Sequence, residues 1–206
     1  MTADLVNIFE EFFAKILLLT SLYMHFFIEH NKGHHKHVAT PEDPSTAFYK
    51  QHLYAFWIQT FIGTQKKAWQ IASAEAKSSI FNEMALFQLI QFALVGLIYY
   101  FFGGFVTVCF LVAAFIGAAL LETVNYIEHY GLKRQLNENG RYELVKRKHS
   151  WNSNHILGRL ILFELSRHSE HHYKPDKPYQ LLHSDPEAPT MPTGYPGMML
   201  LSFVPP

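Results

Sequence analysis

The sequence predicts an all-α integral membrane protein with a transmembrane hairpin and a cytoplasmic, histidine-rich helical region. The first observation behind this prediction is that no residue between Leu86 and Leu121 is charged. The second is that histidines are concentrated on either side of that run, in EHNKGHH at residues 29–35 and RHSEHH at residues 167–172. We expect a single domain over residues 1–206, with the hairpin at about residues 85–122.

The residues before the hairpin predict two helices joined by a loop. Residues 5–35 are expected to form one helix, and its polar stripe, which includes Lys15, favours a buried or interfacial position over lipid exposure. The segment VATPEDPSTA at residues 38–47 contains two prolines, which end this helix and begin a loop. Residues 48–82 are polar and aromatic and are expected to be helical. The proline-rich tail from Pro175 onward is expected to form an ordered loop that wraps around or covers the histidine-rich region.

The uncharged run is too long for one membrane span. A straight helix of this length would cover roughly 54 Å, nearly twice the hydrocarbon core of a bilayer, whereas two spans of about 17 residues fit it. Gly103 and Gly104 lie at the midpoint and can turn the chain. The alternative is a hairpin buried in a soluble domain, which a chain of 206 residues could hardly cover.

Basic residues set the expected orientation. The turn between the two spans contains no basic residue. The basic residues that flank the uncharged run are Lys66, Lys67, Lys77, Lys133, Arg134, Arg141, Lys146, Arg147 and Lys148. The positive-inside rule therefore places both flanks, and with them both histidine clusters, in the cytoplasm.

The spacing of the histidines predicts metal binding, because neutral imidazole is a ligand of iron, zinc and copper. His30 and His34 are four residues apart, which on a continuing α-helix places them one turn apart on one face. The i, i+3, i+4 spacing of the second cluster gathers its histidines in the same way. The candidate ligands are His30, His34, His35, His129, His168, His171 and His172. Seven imidazoles exceed one tetrahedral site, so we expect two metals or an open-sided site; the alternative is a surface patch of histidines.

Composition excludes several classes of protein and site. Lys plus Arg balance Asp plus Glu at 17 each, so no nucleic-acid partner is expected. Cys109 is the single cysteine, which excludes a disulfide framework, a zinc ribbon and an iron–sulfur cluster within this chain. There is no glycine-rich dinucleotide loop either, so a dinucleotide-binding site is not expected within this chain.

Four segments, in this order, resemble the integral-membrane alkane monooxygenases: EHNKGHHKHVATPEDPSTA, NYIEHYGLKR, HSWNSNH and LSRHSEHHYKPDKPYQLL. That family belongs to the histidine-rich membrane di-iron group, which also contains fatty-acid desaturases and xylene monooxygenase. The resemblance implies an enzyme that hydroxylates the terminal methyl group of alkanes with O2, giving 1-alkanols. It also implies two non-haem irons held by histidines, rubredoxin and its reductase as electron donor, and a bacterial inner membrane with the metal site facing the cytoplasm. No catalytic residue or further cofactor-binding residue is assigned beyond the seven metal ligands.

The sequence departs from the family pattern in three places. The resemblance implies a further histidine box, HExxHK, and the chain contains none, so we expect a fragment or a truncated gene product. Ser166 stands where the family usually has Gln, and Glu170 where it usually has Asp.

Two alternatives stay open: a truncated, non-catalytic membrane remnant, and a related di-iron hydroxylase or desaturase that acts on fatty-acyl or aromatic substrates.

Other polar residues near the motifs are given weaker assignments. Glu29, Glu128 and Glu170 are candidates to accept the outer ring N–H of a metal-bound histidine, or are solvated charges. Asp43 is interpreted as a turn residue. The basic run Lys146–Lys148 could dock an acidic electron carrier or contact anionic lipid. The remaining histidines are expected to be structural or non-ligating: His25, His37, His52, His149, His155 and His183.

Overall fold

The computed structural model describes residues 3–76 and 82–206, and within these ranges the chain is helical. The helices are α1 (Ala3–Thr20), α2 (His25–Glu29), a π-helical turn (His30–His34), α3 (His35–His37), α4 (Leu53–Glu75), α5 (Glu83–His129), α6 (Ile156–Ile161), α7 (His168–Tyr173) and α8 (Tyr195–Ser202), with short 3-10 helices at Arg147–His149 and Tyr179–Leu181. In the described ranges, pairing between extended segments is limited to isolated bridges. The all-α prediction is confirmed.

The chain divides into two compact units. The first comprises Met1–Gly33 and Thr64–Leu121, and the second comprises His34–Gly63 and Glu122–Pro206. The prediction of a single domain stays a prediction.

The prediction of one helix over residues 5–35 is wrong, because the helix is interrupted after Thr20. Leu22 has a positive φ of 50°, a conformation that cannot continue a right-handed helix. Side-chain contacts replace the lost helical bonds, since the Met24 N–H donates to the Gln91 side chain over 3.2 Å. The helix then resumes as α2 and widens into the π-helical turn. A Cβ at Gly33 would lie 2.6 Å from the carboxylate of Glu29, so this turn requires glycine there.

The loop predicted at residues 38–47 is confirmed, and the helix predicted at residues 48–82 begins later, as α4. Residues 77–81, including Lys77 of the predicted basic flank, lie outside the described residues.

In the described part of the chain, α5 is the one helix that is long and apolar enough to cross a membrane. Its most apolar window has a mean hydropathy of 2.5, and most residues of that window are not buried. Its backbone is not continuous, because Gly103 has φ 78° and ψ 176°, a combination open almost only to glycine. The expected turn position is therefore a true break in the helix.

Each unit has its own apolar core. In the first unit the buried residues are Met24, Ile28, Ala68, Ala72, Met84 and Phe87. In the second they are Ala47, Leu53, Phe56, Tyr126, Ile127, Met191 and Tyr195. The second core includes Met191 and Tyr195 of the proline-rich tail, which therefore packs against the end of α5 that carries His129, although Tyr195–Ser202 form a helix rather than a loop.

Candidate metal centre

Four histidines of the second unit form a buried cluster whose ring nitrogens face one another. They are His34, His129, His168 and His172, each at most 3 % exposed, and one donor nitrogen from each lies within 4.8 Å of the others. The Nε2 atom of His172 lies 3.2 Å from that of His34 and 2.9 Å from that of His168. The Nε2 atoms of His129 and His168 are 3.1 Å apart. Four imidazoles thus present Nε2 to one small buried volume, which we call the four-histidine cluster.

Three local structures position this cluster. His34 is the last residue of the π-helical turn, His129 is the last residue of α5, and His168 and His172 are one turn apart in α7. The predicted sharing of one helical face holds for His168 and His172, whose ring centroids are 4.4 Å apart. His171 is rotated by about 100° from His172 around the helix, and its ring lies 4.7 Å from that of His35.

Asp43 orients His34. Its Oδ2 atom lies 2.9 Å from Nδ1 of His34, and both side chains are buried. The carboxylate accepts the Nδ1–H, so Nε2 of His34 directs its lone pair toward the other histidines. Burial alone would raise the pKa of Asp43, but the charge and hydrogen bond of His34 and the hydrogen bond from Thr46 lower it to about 2. Asp43 also accepts from the Ser45 N–H, as a turn residue does, so sequence reasoning found one of its two roles.

Glu128 places a carboxylate oxygen beside the same cluster. Its Oε2 atom lies 3.3 Å from Nε2 of His168, and its Oε1 atom accepts a 2.6 Å hydrogen bond from the Tyr195 hydroxyl. Burial, with a further contribution from the Glu128 charge, raises the pKa of Tyr195 well above its usual value, so the phenol keeps its proton and donates. The carboxylate therefore contacts the inward-facing nitrogen of a histidine, not the outer N–H that we predicted.

His35, His171 and His172 are neutral at neutral pH. Burial, together with smaller contributions from the charges of neighbouring histidines, lowers the pKa of His171 to about 4 and that of His172 well below its usual value. Burial and the neighbouring His171 lower the pKa of His35 in the same way. Neutral imidazole is the form that binds a metal.

The donor set fits a metal ion. Nε2 of His168 lies within 3.3 Å of three polar atoms, from His129, His172 and Glu128, yet a ring nitrogen has at most one proton to donate. Two nitrogens bound to one ion at about 2.1 Å lie about 3.0 Å apart at a right angle and about 3.4 Å apart at a tetrahedral angle. The nitrogen separations of 2.9–3.2 Å are close to these values. Imidazole suits iron, zinc, copper and nickel.

Comparison with known proteins assigns the family. The family model described as fatty acid desaturase matches residues 3–199. The chain belongs to the fatty acid desaturase family. It is 44 % identical over 203 residues to alkane 1-monooxygenase 1 of Alcanivorax borkumensis and to alkane 1-monooxygenase of Ectopseudomonas oleovorans, covering 96 % of this chain and 50 % and 51 % of those relatives. It is 28 % identical over 185 residues to the xylene/toluene monooxygenase hydroxylase component of Pseudomonas putida, covering 87 % of this chain and 48 % of that relative.

These matches confirm the resemblance to alkane monooxygenases within the desaturase family. The chain spans about half the length of the curated relatives it matches. Membership of the desaturase family and the four-histidine cluster are together compatible with iron binding.

The other three predicted ligands of this desaturase-family chain lie outside the four-histidine cluster. His35 and His171 are in the second unit, with neighbouring rings. His30 belongs to the first unit, where its ring lies 4.8 Å from that of Phe26. The prediction that His30 and His34 are stacked on one α-helical face is wrong in its geometry, because the segment from His30 to His34 is a π-helical turn.

The three glutamates beside the histidine motifs are buried, so the alternative that they are solvated charges is wrong. Glu170 accepts hydrogen bonds from the Lys177 side chain over 3.0 Å and from the His183 N–H over 2.7 Å. It therefore holds the tail against α7 and does not contact the outer nitrogen of a cluster histidine. Glu29 lies in the first unit beside Gly33.

His149 is a hydrogen-bonded structural group, as predicted. Its Nδ1 atom accepts from the Lys146 N–H over 2.9 Å, and its Nε2 atom lies 3.2 Å from Glu143. His155 is exposed. His155 can therefore serve as a non-ligand control for substitutions in the cluster.

Proposed function

We propose that this chain carries the metal centre of an O2-dependent hydroxylase that converts alkanes to 1-alkanols. The observation that carries the proposal is the four-histidine cluster, with buried rings whose Nε2 atoms converge. Relatives named alkane 1-monooxygenase are 44 % identical to this chain, against 28 % for the xylene/toluene hydroxylase component, which favours an aliphatic over an aromatic substrate.

The proposed cofactor is two non-haem irons held by His30, His34, His35, His129, His168, His171 and His172. The four-histidine cluster supports one metal position, and the neighbouring rings of His35 and His171 support a second. For His30 the support is the resemblance.

Iron bound here would supply the reduction of O2 and the oxidation of an unactivated C–H bond. The residues of this chain would hold and insulate that chemistry. The imidazoles add no negative charge, and Asp43 holds His34 in the tautomer that keeps a lone pair on Nε2. Burial of all four rings excludes bulk water, which protects reactive species from side reactions.

The proposed setting is a bacterial inner membrane, with α5 crossing it twice as a hairpin. Three observations within the first unit support the hairpin. The backbone breaks at Gly103. Ser21 lies against Gly117, while Met24, three residues further on, bonds Gln91. A straight helix would separate positions 91 and 117 by about 39 Å. Because Ser21 and Met24 are only three residues apart, a chain that folds back between positions 91 and 117 fits both of their contacts. An alkane dissolved in lipid would reach the cluster from the bilayer, and the positive-inside rule favours a cytoplasmic metal site.

Rubredoxin, reduced by its reductase, is the proposed electron donor, and the support is the resemblance. The basic run Lys146–Lys148 carries less positive charge available to a partner than its sequence suggests, because each of its residues contacts a carboxylate of this chain. Lys146 and Lys148 are about half exposed, but both contact Glu143, over 2.9 and 3.3 Å. Arg147 faces Asp185 and Glu170. A docking surface for an acidic carrier would therefore depend mainly on the two lysines.

The proposal is tested by iron content and turnover of the 206-residue chain purified anaerobically in detergent. We expect bound iron by elemental analysis, its loss in His172→Ala, and retention in the control His155→Ala. With octane, rubredoxin and the reductase, 1-octanol should form. Absence of bound iron would refute the metal centre. Bound iron without 1-octanol would refute hydroxylation by this chain and favour the non-catalytic alternative.

A further inference from the structure

A residue of the proline-rich tail reaches the carboxylate beside the four-histidine cluster. Tyr195, the first residue of α8, lies 67 positions beyond Glu128 and donates a 2.6 Å hydrogen bond to its Oε1 atom. The two side chains are 2 % and 3 % exposed. The second oxygen of Glu128 lies 3.3 Å from Nε2 of His168. The tail is thus connected to the nitrogen face of the cluster through a single carboxylate.

We propose that Tyr195 is a positioning residue of the metal centre, whose hydroxyl fixes Oε1 of Glu128 so that Oε2 faces the four-histidine cluster. This inference rests on the proposed function of that cluster. It assigns the tail a role in forming the centre in addition to its packing in the core.

The argument depends on what sets the plane of the Glu128 carboxylate. The terminal torsion of glutamate is broad and does not fix that plane by itself. A buried carboxylate oxygen without a donor is costly, so the Tyr195 hydroxyl selects the orientation in which Oε1 is satisfied. The ring of Tyr195 belongs to the second unit's core, and the donor is therefore held in place by packing. Without the hydroxyl, Oε2 is free to leave the nitrogen face.

The probe is Co(II) added anaerobically to the metal-free chain in detergent, followed by its visible d–d absorption. Tyr195→Phe removes one oxygen atom and keeps the ring. We expect about 10–100-fold weaker Co(II) binding, the usual effect of losing an outer partner, and a shifted d–d spectrum because the oxygen ligand field changes. The matched control is Tyr126→Phe, which also removes a 2.6 Å hydrogen bond donated by a tyrosine hydroxyl, in this case to the Gln51 carbonyl. That variant should bind Co(II) like the unmodified chain.

A double-mutant cycle separates positioning from general destabilisation. In the Glu128→Gln background, Tyr195→Phe should cause no further loss of affinity and no further spectral change, because the group it positions is already altered. The inference is overturned if Tyr195→Phe leaves the spectrum and affinity unchanged, if Tyr126→Phe has the same effect, or if the two losses add. If the unmodified chain binds no Co(II), the metal centre itself is refuted, which is a different result from a silent Tyr195→Phe.

Discussion

Asp43→Asn should weaken metal binding without changing the shape of the cluster. Asparagine is nearly isosteric and can still accept from the Ser45 N–H. Toward His34, however, the amide presents either an NH2 group or a neutral oxygen in place of the charged acceptor at 2.9 Å. An NH2 group donating to Nδ1 would move the ring proton to Nε2, which removes the lone pair from the cluster.

The size of the effect follows from burial. The His34 and Asp43 side chains are 1 % and 0 % exposed, so solvent does not screen their contact. A hydrogen bond to a charged group contributes about 1.5–3 kcal/mol, and each 1.4 kcal/mol is about tenfold in affinity. We therefore expect the Co(II) dissociation constant to rise about 10–100-fold, measured by anaerobic titration of the metal-free chain and by competition with a chelator of known affinity.

Glu42→Gln is the matched control. It makes the same carboxylate-to-amide change at a second histidine–carboxylate contact, 2.7 Å from Nδ1 of His37, where the carboxylate is 61 % exposed. His37 is not in the cluster, so this variant should bind Co(II) normally. Equal affinity in Asp43→Asn and the unmodified chain would refute the argument that Asp43 sets the tautomer of His34.

Three further predictions follow from other parts of the structure. Gly103→Ala forces a residue with a side chain into φ 78° and ψ 176°, which should lower the free energy of unfolding by about 1–3 kcal/mol and lower the thermal midpoint. In the control Gly96→Ala the new Cβ meets no neighbouring atom within 4 Å, so the thermal midpoint should not fall. Glu170→Gln weakens the hold on Lys177 and His183, so limited proteolysis should cut the tail faster. In the metal-free chain burial lowers the pKa of His171 to about 4, whereas in the unfolded chain this residue binds its proton near pH 6.5. The contribution of His171 to the free energy of unfolding should therefore be fully present above about pH 6.5 and be lost as the pH falls toward 4. A thermal midpoint that stays constant over that range would contradict this prediction.

The fold could be predicted where local chemistry decides it. An uncharged run with a central glycine pair predicts an apolar helical segment and its break, and both are present in α5. The break after Thr20 was not predictable in this way, because Leu22 is an ordinary helix former. Just beyond the break the Met24 N–H donates to the Gln91 side chain, a contact between residues 67 positions apart. Periodicity describes a helix in isolation and does not register such tertiary contacts.

The outer partners of the site were missed for a related reason. The i, i+4 spacing identifies His168 and His172 as neighbours, since helical geometry alone brings them together. Asp43 meets His34 only because the intervening loop reverses, with Ala39 at a positive φ of 60°. Tyr195 meets Glu128 across 67 residues. Neither contact leaves a signal in spacing, and composition cannot rank one carboxylate above another.

Burial does not by itself distinguish a ligand from a structural histidine. His149 is 1 % exposed, as is His34. The difference lies in their nitrogens: both nitrogens of His149 have partners within its own loop, Lys146 and Glu143, whereas His34 bonds Asp43 through Nδ1 and directs Nε2 at other imidazoles. A histidine becomes available to a metal when one nitrogen is held by an acceptor and the other faces further donors. That condition is a property of two contacts at once, which explains why the count and spacing of histidines located the site but could not separate its members from their neighbours.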